Sequence, residues 1–189
     1  MQNYEIKEPV RKLTMPELQR LTIEEFKESK KLPVIVVLDN IRSQNNIGSV
    51  FRTADAFRLS GVYLCGITAT PPHREIHKTA LGATDSVEWL YFQTTLEAVG
   101  DLHTNGYTVL AVEQTEGSMK LPDYCPGIGE KIALIFGNEV NGIDDEVLLY
   151  MQGCIEIPQY GTKHSINVSV AVGIVVWDLF GKMTNLENT

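Results

Sequence analysis

Cysteine is scarce in this chain. Cys65, Cys125 and Cys154 are the three in 189 residues, an odd number with no C-x-x-C pair. That excludes a disulfide scaffold and suits a reducing compartment. Long apolar runs are missing as well: Val168 to Trp177 is the longest, is interrupted by Ser169, and reaches about half of the ~20 residues needed to cross a bilayer. No charged-then-apolar leader opens the sequence, so the expectation is a cytoplasmic protein without a membrane partner. Positive charge is not in surplus either. Sixteen Lys and Arg stand against 24 Asp and Glu, a net charge of −8, which is a poor start for nucleic-acid binding because phosphates need local positive charge.

What is present is an ordinary globular composition, 43% hydrophobic and 21% charged, in a chain long enough for one domain that buries roughly 70% of its unfolded surface. The acidity is uneven. Residues 1–80 hold 12 Lys and Arg against 9 Asp and Glu, whereas residues 81–189 hold 4 against 15. A locally basic N-terminal segment on an acidic body can present a phosphate-binding face, and equally can be solvated surface charge.

Residues 1–32 read as an arm with one or two short helices. Thr14 with Glu17, and Thr22 with Glu25, have capping-box spacing, and Lys27, Lys30 and Lys31 sit near a helix end. Pro33 then opens Val34–Leu38, apolar on both faces as in a buried parallel strand. Strand-like stretches at 34–38, 61–66, 87–92, 107–112, 131–136 and 153–157 alternate with helix-like stretches at 47–58, 73–82, 94–104, 144–151 and 165–182. This alternation predicts an α/β fold, a mostly parallel sheet flanked by helices, in a domain spanning 33–183 with a short tail at 184–189.

In an open α/β sheet, ligands sit beyond the carboxyl ends of the strands. Three of those exits are rich in polar, turn-forming residues: Asp39–Gly48 leading into Arg52, then Gly137–Gly142, then Pro158–Asn167. In a parallel sheet they share one edge. Each residue also has a structural reading. Asn46 can cap a helix, Arg52 can pair with Asp55 or Glu139, Glu139 can accept loop N–H groups, and Ser165 can cap the last helix with Asn167 in its first turn.

Other chemistries find little support. His73 and His77 frame a poor version of a zinc-protease motif, with the glutamate misplaced and no third ligand, so no metal is expected. Neither G-x-G-x-x-G nor a P-loop occurs. Ser165 next to His164 is sequence adjacency, not a nucleophile facing its base. The cysteines read as core fillers.

The three exits resemble the motifs of the SpoU (TrmH-type) 2′-O-ribose RNA methyltransferases of the SPOUT superfamily. The first is Asn46-Ile-Gly48-Ser-Val-Phe-Arg52-Thr-Ala54, the second Ile135-Phe-Gly137-Asn138-Glu139-Val-Asn-Gly142, and the third Ile157-Pro158 with Ser165-Ile-Asn167-Val-Ser-Val-Ala171. They appear in the family's order over roughly residues 33–183, with Val140 where many members carry Gly and Ile166 where Leu or Met is usual. The resemblance implies a C-terminal trefoil knot, a homodimer, and S-adenosylmethionine held by Val112, Gly137, Asn138, Ile157, Ser165 and Ile166. It implies Arg52, Asn46, Glu139, Ser165 and Asn167 as the catalytic set, acting on a ribose 2′-hydroxyl of tRNA or rRNA. A guanidinium rarely gives up a proton, so clamping a substrate phosphate suits Arg52 better than a simple base role. Arg11, Lys12, Lys27, Lys30, Lys31 and Arg42 are the candidate RNA contacts. The alternative function is a catalytically silent RNA-binding or assembly protein on the same fold.

Overall fold

A computed structural model describes residues 11–14 and 16–186. In chain order its elements are α1 (Ile23–Glu28), β1 (Leu32–Asp39), α2 (Gln44–Ala56), β2 (Leu59–Cys65), α3 (Arg74–Ala80), α4 (Ala83–Ser86), β3 (Trp89–Phe92), α5 (Thr95–Thr104), β4 (Thr108–Val112), β5 (Met119–Lys120), β6 (Ile132–Phe136), α6 (Asp145–Leu148), β7 (Gly153–Glu156) and α7 (Val168–Leu186). Short 3-10 turns lie at Pro16–Leu18 and Leu121–Asp123. The seven strands form one sheet in the order β3-β2-β1-β6-β4-β7-β5, and every pairing is parallel.

The expected two-faced burial of the first strand holds: Val34 to Asp39 are all buried. Side chains alternate across a strand, so Val34, Val36 and Leu38 join a core layer with α2 and α7. Ile35 and Val37 join the opposite layer with Ala98, Val99 and Leu102 of α5 and Val147 of α6. Each such side chain gains about 1.5–3 kcal/mol from leaving water, which is why this strand anchors the sheet. On one flank Gly48 allows α2 and α3 to touch. A Cβ there would lie 2.3 Å from the Ile76 carbonyl oxygen.

The predicted arm helices are present. Thr22 and Glu25 form a full capping box on α1, and Phe26 of α1 is buried in the larger core layer. Lys31 closes the other end of α1. Its Nζ donates to the carbonyls of Phe26, Lys27 (3.2 Å) and Ser29 (3.0 Å) and stacks over the Phe26 ring. Asn105 ends α5 with Gly106 at φ +76°, and Asp144 caps α6, both at their predicted turns.

The structure departs from expectation in several local places. The helix expected at 73–82 is α3, ended by the left-handed Leu81 and Gly82, and a further short helix, α4, follows it unpredicted. Strand β5 is two residues long and carries no periodic signal. The last helix begins at Val168 instead of 165. Cys65 is buried in the core and Cys154 half-buried, but Cys125 is exposed and fills no core. His73 Nδ1 accepts from the Glu75 amide at 3.3 Å as the cap of α3.

Candidate active site

Because all strands run the same way, β1, β4, β6 and β7 end on one edge, and the exit loops of β4, β6 and β7 build a cleft of about 380 Å³ there. The loop after β6 is its floor. Asn138 Oδ1 accepts from the amides of Val140 (3.0 Å) and Asn141 (2.9 Å), and the Asn138 and Gly142 backbones bond to each other at 3.1 and 3.0 Å. This tight turn needs two glycines. Gly142 sits at φ +69°, and a Cβ on Gly137 would fall 2.1 Å from the Gly142 carbonyl carbon. Gln114 Nε2 donates to the His164 carbonyl at 3.2 Å, tying the loop after β4 to the loop after β7.

Asn46, in the first turn of α2, is not the helix cap. Ser43 is, accepting from the Asn46 amide at 3.4 Å. That leaves the Asn46 side chain free to cross to the other two exits. Its Nδ2 donates to Glu139 Oε1 at 2.9 Å, and its Oδ1 accepts from Asn167 Nδ2 at 3.2 Å. Asn167 in turn caps α7, accepting from the Ser169 amide (3.0 Å) and hydroxyl (2.7 Å). The helix cap is thus Asn167 and not Ser165. One chain of amides and a carboxylate joins residues 93 and 121 positions apart in sequence.

Val112, Gly137, Asn138, Ile157, Ser165 and Ile166 all line the cleft, as do Glu139 and Asn167. Asn46 touches it only through those two side chains. Arg52 does not line it. Six residues along the helix from Asn46, it is roughly 9 Å further on and about a third of a turn away, and it lines two other clefts with Leu81. Among the described residues it makes no hydrogen bond or ion pair. Neither carboxylate considered for it is its partner: Asp55 accepts from the Ser86 hydroxyl and Glu139 from Asn46.

Sequence reasoning missed the charge of the cleft. Glu113, Glu139 and Glu156 line it, with no lysine or arginine. Glu113 and Glu156 follow or end the apolar strands β4 and β7, and that position was the available signal. Behind the cleft, Asp39 is 1% exposed at the end of β1. Burial raises its pKa, offset in part by bonds from the Thr95 hydroxyl and Asn40 Nδ2. Burial also pushes the Cys65 thiol up to about 12, so it is no nucleophile at neutral pH.

The six candidate RNA contacts are dispersed. Lys12, Lys27 and Arg42 are exposed, Arg11 is held by Glu17 at 2.6 Å, Lys31 is engaged in closing α1, and Lys30, also exposed, has partners of its own. Among the described residues, no group of three or more His, Cys, Asp or Glu is placed to hold a metal ion, and no helix is long and apolar enough to cross a membrane.

The profile of the SpoU rRNA Methylase family matches residues 33–177. The chain belongs to that family. It is 26% identical over 161 residues to a TrmH-family tRNA/rRNA methyltransferase of Staphylococcus aureus, covering 85% of this chain and 63% of the relative. It is 29% identical over 147 residues to a tRNA (guanosine(18)-2′-O)-methyltransferase of Borreliella burgdorferi, covering 78% of this chain and 66% of the relative. The chain therefore spans just under two thirds of the length of these curated relatives. Its fold superposes on the AdoMet-bound rRNA methyltransferase of Sinorhizobium meliloti with a TM-score of 0.73 at 27% identity, over 79% of this chain and 56% of that one. The three motif segments all lie within the matched family region; the second and third line the cleft, and the first reaches it through the Asn46 bonds to Glu139 and Asn167.

Proposed function

We propose that this SpoU-family chain transfers a methyl group from S-adenosylmethionine to a ribose 2′-hydroxyl of tRNA or rRNA. The observation that carries the reading is the cleft lined by the second and third family motifs and tied to the first through Asn46, walled by carboxylates and, among the described residues, free of lysine and arginine. A sulfonium donor is cationic, so this wall suits it and disfavours an anionic phosphate cofactor. Ile157, Ile166, Val112 and Phe136 offer apolar surface to a flat base, and the glycines let the 137–142 turn close tightly on itself and against Glu113. The named donor in the related Sinorhizobium meliloti structure, AdoMet, fits this lining.

When bound, S-adenosylmethionine supplies an electrophilic methyl carbon. The protein's task is then alignment and charge. The Asn46–Glu139 and Asn46–Asn167 bonds hold the cleft mouth in one geometry, so an incoming ribose meets fixed polar groups. Ser165 lines the same mouth. Arg52 grips the phosphate next to the target ribose with its two-pronged guanidinium.

Arg52 lines two other clefts and not the donor cleft of its own chain, and this supports a homodimer in which a second copy brings Arg52 to the donor. The exposed α7 stripe of Val170, Ile174 and Trp177, backed by the Phe57–Trp177–Phe180 ring cluster, supplies apolar surface for such a contact. The same reading takes 33–183 as a knotted catalytic domain, with 1–32 as its arm and 184–189 as its tail. The link from Gln114 to the His164 carbonyl, which draws the segment after β7 across the loop after β4, supports the threading. A cytoplasmic location follows from the RNA substrate, and the three free cysteines agree with it.

Two measurements test the reading. Calorimetry with S-adenosylmethionine should show one site per chain. Labelled methyl transfer into total RNA from a strain lacking the protein should place the label on a ribose oxygen. Binding without transfer would leave the silent RNA-binding alternative, and label on a base would replace the reaction.

A further inference from the structure

Two clefts open on either side of Arg52. One, of about 710 Å³, is lined by Arg20 and Ile23 of the arm and by Arg52, Asp55, Arg58 and Leu81. The other, of about 470 Å³, passes Ser49, Lys78 and Thr79. They share Arg52, Ala56 and Leu81, and the two adjoining clefts make up one furrowed face.

Its charge is opposite to that of the donor cleft. Four cations, Arg20, Arg52, Arg58 and Lys78, face a single carboxylate, Asp55, whose Oδ2 already accepts from the Ser86 hydroxyl. Among the described residues, the guanidinium groups of Arg20 and Arg58, like that of Arg52, make no hydrogen bond or ion pair, and the Lys78 ammonium has only an exposed 3.8 Å contact with Glu75. In a chain with 24 Asp and Glu, three exposed arginines along one furrow keep their guanidinium groups available to an anion. Arg58 even lies close enough to Lys31 to add to the lowering of its pKa, after burial. The furrow also carries apolar surface. Leu81 is 67% exposed in a left-handed conformation, φ +51°, which costs an L-residue about 1–2 kcal/mol. Its amide closes α3 by donating to the His77 carbonyl, and its side chain stands between the two basic clefts.

We infer that this furrow is the track for the RNA backbone: Arg20, Arg58 and Lys78 hold phosphates flanking the one gripped by Arg52, and Leu81 packs on a sugar or base between them. The inference rests on the methyltransferase reading for the role of Arg52, and on the furrow's own charge for the rest. A basic groove with an apolar platform is how single strands are held without sequence preference. The acidic remainder of the surface repels RNA and so directs it to this face.

The test uses full-length protein and a fluorescently labelled single-stranded oligoribonucleotide of mixed sequence, with affinity measured over a range of salt. The double variant Arg20→Ala/Arg58→Ala should raise Kd about tenfold and flatten the log–log salt slope by about 1.4, two phosphate contacts at ~0.7 each. Its S-adenosylmethionine affinity and melting temperature should stay at wild-type values. Leu81→Ala should weaken binding with an unchanged slope, and Lys131→Ala, on a distant surface, should change nothing. Unaltered affinity and slope in the double variant would overturn the inference. So would a changed sedimentation coefficient with unaltered RNA affinity, since a second copy would then cover the furrow. If the wild type transfers no methyl group but the double variant loses RNA affinity as stated, the furrow stands and the methyltransferase reading falls.

Discussion

Single side chains carry the sharpest consequences. Arg52→Ala should lower kcat by about 10²-fold or more, the scale of losing one positioned transition-state contact, while calorimetry still shows normal donor binding. Asn46→Ala removes the shared partner of Glu139 and Asn167. It should lower turnover by up to about 10²-fold through misplacement, with little change in melting temperature, because all three groups lie near solvent. Asp39 behaves differently. Its folded pKa is raised by burial, so the folded state holds a proton that the unfolded chain releases. Stability therefore falls as pH rises from the ordinary carboxylate value through the raised one, and stays lower above it. Urea unfolding between pH 3 and 7 should show this fall in the wild type and a flatter profile in Asp39→Asn. Asp39→Ala should cost about 1–3 kcal/mol at pH 3, where it strands the Thr95 hydroxyl, and less at pH 7, where it also removes a buried charge.

At the scale of elements, caps and turns do more than end helices. Asn167 starts α7 and also reaches Asn46, so one residue sets both the helix register and the cleft mouth. Gly137→Ala should open the 137–142 turn, since its Cβ would collide with backbone, and cut S-adenosylmethionine affinity by about tenfold or more. Circular dichroism should remain that of the wild type, because β6 before the turn is fully buried and independent of it. The strands and most helices were legible from Val34–Leu38 and its kind, where apolar periodicity and capping chemistry are properties of neighbouring residues. The helix at 73–82 was legible as α3, but its left-handed end at Leu81 and the short α4 after it were not, because Leu81 is no turn-forming residue. The same holds for β5, whose two residues gain strand geometry only by lying beside β7.

For the whole molecule, charge is divided between faces: carboxylates wall the cleft at the strand exits, and arginines line the furrow beside α2. A net charge of −8 concealed this division, since composition averages over faces that never meet. If a second copy supplies Arg52, mixing two inactive variants, Arg52→Ala and Gly137→Ala, should restore part of the activity, because each mixed dimer pairs an intact cleft with an intact arginine. Trp177→Glu should shift sedimentation to the monomer and abolish transfer while donor binding remains. Activity retained by a monomeric Trp177→Glu protein would show that one chain suffices.

The sequence alone determined the alternating α/β pattern, the parallel sheet and the polar sets at three strand exits, because each arises from residues within a few positions of one another. Only the tertiary structure decided which members of those sets meet. Asn46 and Arg52 belong to one motif and one helix, yet the 3.6-residue turn points them to different clefts, and the sheet order brings Glu139 and Asn167 to the first and not the second. Helical phase and strand order act over the whole chain, and no local stretch contains them.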